Sequence, residues 1–72
     1  MDKDIENVKF GSRVAQLRHE KGITQEALSF KCGINRTFMG EIERGEKSPT
    51  IVTIVKIAKG LGINKKALMD YE

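Results

Sequence analysis

The sequence predicts an all-α domain of five short helices, and three observations predict it. Apolar residues recur at helical spacing along the chain, and no stretch reads as a strand. Glycines close the successive runs, at Gly22, Gly33, Gly45 and Gly62. Small polar residues suited to capping, Thr24, Asn35 and Asn64, stand where three of the runs begin.

The first helix is expected from about Ile5 to Lys21, with Val8, Phe10, Val14 and Leu17 as its apolar stripe and Gly22 as its stop. Thr24 caps the second, whose first turn carries Gln25 and Glu26, groups favoured by the free N–H groups and dipole at a helix start. Ala27, Leu28 and Cys32 share one face, and Gly33 supplies the left-handed residue that ends the run. Phe30 falls off that stripe and is expected to cover the neighbouring helix. Asn35 caps a third helix, in which Phe38, Met39 and Ile42 are apolar until Gly45. Two helices joined by so short a glycine turn form the supersecondary unit whose second member enters the DNA major groove.

Pro49 disfavours helix at Ser48 and marks a helix entry, so a fourth helix begins near Thr50. Its apolar face is Ile51, Ile54, Val55, Ala58 and Leu61, and Val52 and Ile57 widen the apolar surface beyond one stripe, an excess that calls for a partner. Gly60 and Gly62 bracket its end, and Asn64 caps a last helix over Lys65 to Tyr71 carrying Leu68 and Met69.

With 72 residues the chain is expected to be one domain, 1–72, with a modest core and no room for a deep catalytic cleft. An enzyme is not expected, since no pair of catalytic groups sits at a telling spacing. Hydrophobic residues at 39 % and charged ones at 32 % fit a globular domain, and no apolar run is long enough for a membrane span. No apolar signal stretch follows Met1-Asp2-Lys3-Asp4, so a cytoplasmic location is expected. Thirteen Lys and Arg against ten Asp and Glu give a formal charge of +3, which permits phosphate contact without demanding it. Cys32, the only cysteine, belongs to the core and forms neither disulfide nor zinc site, and the lone His19 is a solvated surface residue. No metal or cofactor is expected.

Read together, Arg18 with Lys21-Gly22-Ile23-Thr24-Gln25-Glu26-Ala27-Leu28, then Gly33-Ile34, Ile42-Glu43-Arg44-Gly45, Pro49-Thr50-Ile51 and Ile57-Ala58-Lys59-Gly60-Leu61-Gly62-Ile63, resemble the Cro and phage-repressor type of helix-turn-helix domain. The likeness covers residues 10–69. Within that family, Asn35 through Gly45 looks most like the controller proteins of restriction-modification systems, whose recognition helix often opens with an Arg-Thr-aromatic triplet. The resemblance implies a lambda-repressor-like fold, with the helix-turn-helix at about 24–44 and a dimerisation region at about 50–72.

Geometry and resemblance together assign roles. Arg36, Thr37 and Glu41 are the expected base readers; the Arg36 fork can pair with guanine O6 and N7, worth about 1–3 kcal/mol of discrimination. Gly40 and Arg44 are expected on the same groove side, while Met39 and Ile42 turn into the core. The DNA backbone is assigned to Gln25, Asn35, Phe38, Arg44, Lys47 and Ser48, with Phe38 in the place where the controllers commonly carry tyrosine. Lys9 and Lys31 add longer-range attraction. Arg18 and Glu43 resemble the family's structural ion pair. Val52, Ile57, Leu68, Met69 and Tyr71 are the expected dimer seam, which would place two reading helices on a palindromic duplex operator.

For a controller, the resemblance implies activation of its own operon at low occupancy, repression when a second dimer fills an adjacent site, and RNA polymerase as a further partner. A phage or plasmid repressor and the antitoxin of a toxin pair share this domain. From different classes, a protein-interaction module without DNA and an RNA binder also remain open.

Overall fold

A computed structural model describes residues 4–71 of the chain. Five helices follow in order, α1 (Ile5–Glu20), α2 (Gln25–Cys32), α3 (Arg36–Glu43), α4 (Ile51–Leu61) and α5 (Lys65–Leu68). Each begins at a side chain that takes up a free first-turn N–H. Thr24 Oγ1 accepts from the Ala27 amide at 3.0 Å, Asn35 Oδ1 from Phe38 at 3.1 Å and Asn64 Oδ1 from Ala67 at 2.8 Å. Asp4 and Thr50 do the same for α1 and α4. Gly33, with φ of 67°, makes the left-handed turn that lets α3 start three residues later.

Phe10, Val14, Leu28, Cys32, Met39, Ile42, Ile57, Ala58, Leu61 and Leu68 form one continuous core. Two crossings in it depend on glycine inside a helix, where glycine otherwise costs about 1 kcal/mol against alanine. At Gly11 in α1, an added Cβ would lie 2.7 Å from the Glu43 carbonyl oxygen and overlap that of Ile42. Gly60 in α4 likewise lies against the backbone and sulfur of Cys32. Gly60 is therefore a packing residue within α4, not a mark of its end. Burial pushes the Cys32 thiol up to about 11.

Three expectations fail on burial. Ile57 and Leu68, assigned to a dimer seam, are fully buried in the monomer core. On α4 the inward stripe is Ile54, Ile57, Ala58 and Leu61, whereas Ile51 in the first turn stands 73 % exposed. Leu68 goes inward as the short α5 packs against α4 and is tied to α1, where Arg13 donates to the carbonyls of Ala67 at 2.9 Å and Leu68 at 3.3 Å. Phe30 covers no helix and is 89 % exposed, since α2 turns Leu28, Ser29 and Cys32 inward. Val52 and Met69 are exposed, and Tyr71 packs half-buried against the core.

Candidate nucleic-acid interface

Helix α3 is amphipathic in the strict sense that its two faces meet different media. Met39 and Ile42 have no accessible surface and fasten it to α1 and α2, while Arg36 and Thr37 at its N-terminal end are exposed. Phe38 lies half-buried against the core, and Glu41 is half-exposed one turn on from Thr37. The side-chain oxygen of Asn35 is engaged in the cap.

The inner end of α3 is held by a polar network. Arg18 from α1 grips Glu43 with both donors of one edge of its fork, Nε to Oε2 at 2.8 Å and Nη2 to Oε1 at 3.0 Å, and its Nη1 donates to the Ile23 carbonyl at 3.0 Å. Gln25 Nε2 adds a bond to Glu43 Oε1 at 3.1 Å. The Arg18 and Glu43 side chains retain only 11 % and 6 % exposure. Glu43 thus receives hydrogen bonds from both α1 and α2, which orients α3 against both. Donating to the Glu43 carboxylate holds the Arg18 guanidinium further above its already high range. No buried side-chain nitrogen or oxygen among the described residues lacks a partner.

Gly40 departs from the expected groove face, because it is buried beneath the side chains of Gln25 and Arg44. Arg44, half-exposed at the end of α3, forms a two-pronged pair with Glu46, Nε to Oε2 at 2.9 Å and Nη2 to Oε1 at 3.1 Å. Lys47 and Ser48 follow in the exposed loop. Arg36, Thr37 and Glu41 therefore belong to one helix and Arg44 is its C-cap, with Gln25 beside it at the start of α2.

Sequence reasoning passed over Gly11, Arg13 and Glu46. A glycine in the middle of an apolar helix was the available signal for the first. Arg13 is separated from its carbonyl partners by 54 and 55 residues, so nothing local announces it. Glu46, two positions after an arginine of opposite charge, was open to inspection. Among the described residues no group of His, Cys, Asp and Glu could hold a metal ion, and no helix is long and apolar enough to cross a membrane.

In helix-turn-helix domains the second helix enters the DNA major groove, and α3 holds that second position here. Residues 14–68 match the helix-turn-helix family, a family of DNA-binding regulators, and the chain belongs to it. Within it, the chain is similar to control protein C.BamHI of Bacillus amyloliquefaciens, 41 % identical over 63 residues that span 86 % of this chain and 78 % of that protein. The restriction-modification controller protein C.AhdI of Aeromonas hydrophila superposes with a TM-score of 0.88 at 40 % identity, over 90 % of this chain and 98 % of that one. The controller C.Esp1396I, solved as a tetramer with its natural 35 base-pair operator, superposes with a TM-score of 0.86 at 32 % identity, over 92 % and 87 % of the two chains.

Proposed function

We propose that this chain is a transcription regulator of the controller type that binds a palindromic duplex operator as a homodimer. The observation that carries the reading is the outward display of Arg36 and Thr37 on a helix immobilised by Met39, Ile42 and the Arg18–Glu43 pair. Base contact needs such rigidity, because a bidentate arginine–guanine pair tolerates little misalignment. In this reading Arg36 reads guanine, Thr37 bonds a base or touches a thymine methyl, and Glu41 accepts from cytosine N4. Arg44, Lys47, Ser48 and the start of α3 at Asn35 and Phe38 meet the sugar-phosphate backbone.

Gln25 takes a modified part. Its side-chain nitrogen serves Glu43, so a phosphate at the start of α2 is met by the backbone N–H groups of the first turn, where the helix dipole favours anions. The seam is drawn on exposed apolar residues, Val52 and Met69, together with Ile51 and the edge of Tyr71. Paired copies would set two α3 helices about one DNA turn, roughly 34 Å, apart. Activation of the chain's own operon at low occupancy, through contact with RNA polymerase, and repression by a second adjacent dimer complete the controller role. Such a regulator works in the cytoplasm. The C.Esp1396I tetramer on its operator supports the DNA and assembly parts of this reading.

Selection of bound duplexes from a random pool tests the proposal. A symmetric consensus containing guanines, relaxed at those positions by Arg36→Ala, is the expected result. Equal enrichment of all sequences would overturn it.

A further inference from the structure

Arg44 is assigned to a phosphate, yet in the free protein its fork already holds an anion. Glu46 spans the Nε and Nη2 edge at 2.9 and 3.1 Å, and its own amide is tied to the Glu41 carbonyl at 2.8 Å, which fixes the loop that carries it. The Arg44 side chain is meanwhile laid along α3, with Nη1 3.0 Å from where a Cβ on Gly40 would sit. A guanidinium edge of this kind matches a carboxylate and a phosphate equally well, two parallel N–H donors to two oxygens. The two anions therefore compete for one edge. Phosphates crowding the same loop would also repel a carboxylate left beside them.

We propose that Glu46 limits the affinity of this chain for duplex DNA by occupying the Arg44 fork, so that a backbone phosphate must displace it. The inference rests on the DNA-binding reading above. Displacement has a signature besides weaker binding. A phosphate neutralised by a free arginine releases about 0.9 of a condensed cation, whereas a carboxylate expelled next to the DNA retains a cation and cancels part of that release. Glu46 thus makes binding both weaker and less dependent on salt.

The test is a cycle of four proteins, wild type, Glu46→Gln, Arg44→Ala and the double variant, titrated with one mixed-sequence duplex over a range of salt concentrations. Because exposed ion pairs are weak, Glu46→Gln is expected to bind about two- to fivefold more tightly at moderate salt. Its plot of log affinity against log salt should be steeper by up to about 0.9. In the Arg44→Ala background the same change should bring little or no gain. An equal gain in both backgrounds would reduce Glu46 to a general negative charge and overturn the proposal, as would unchanged or weakened binding by Glu46→Gln. Wild-type chain that binds no duplex at any salt would instead overturn the DNA reading itself. Thermal melting of the wild type and the three variants checks that all four proteins compared are folded.

Discussion

Where α1 crosses α3, charged groups are buried and no space is left; where α4 begins, aliphatic side chains stand in water. Arg18 and Glu43 at the crossing keep 11 % and 6 % of their side-chain exposure, while Ile51 and Val52 are 73 % and 64 % exposed. Each region inverts the usual distribution of polar and apolar groups. The crossing must hold α3 at one angle, and directional hydrogen bonds over a glycine contact do that better than interchangeable methyl groups. At the α4 start there is nothing in the monomer to hold, and the uncovered aliphatic surface suits a second copy.

The comparison breaks first at Glu43. Glu43→Ala leaves the Arg18 guanidinium without its carboxylate in a nearly buried site, and should cost about 3 kcal/mol in a denaturant melt, with DNA binding lost in parallel. Gly11→Ala should cost about 1–3 kcal/mol despite the better helix propensity of alanine, because the obstructing atoms are backbone carbonyls that cannot rotate away. Circular dichroism melts of the variant check it.

At the open region the expected effects leave the monomer fold intact. Val52→Asp should weaken self-association about tenfold in sedimentation, and should remove the rise of melting temperature with protein concentration that a dimer shows. Phe30→Ser is the smallest change, within about 0.5 kcal/mol of wild type in stability, since the ring has almost nothing to lose. A loss as large as that of Gly11→Ala would mean that Phe30 is covered in solution.

Helix starts were legible because capping is local. A side chain three residues from the amide it serves, as at Thr24, Asn35 and Asn64, can be recognised without knowing the rest of the fold. The inward face of α4 was legible in part, at Ile54, Ala58 and Leu61 but not at Ile57. Aliphatic residues at 51, 52, 54, 55 and 57 satisfy several helical stripes at once, and only packing against α2 and α1 selects Ile57 over Ile51. Leu68 was misplaced for a related reason, because burial of a four-residue helix depends on what it folds back upon. In the interface, exposure of Arg36 and Thr37 followed from the seating of Met39 and Ile42 at i, i+3. The pairing of Arg18 with Glu43 came from family resemblance, since 25 residues separate them and many acidic residues compete on paper.

The guanidinium of Arg13, laid flat across the last two carbonyls of α5, has a consequence for measurement along DNA. With both oxygens gripped by one planar group, α5 cannot swivel on α1 without losing two bonds together. Were two copies joined through this end of the molecule, the gauge between their recognition helices would be stiff. One base pair inserted at the centre of an operator turns its outer half by roughly 35°. A stiff pair could not follow that rotation, so spacing would become as much a part of the recognised word as the bases themselves.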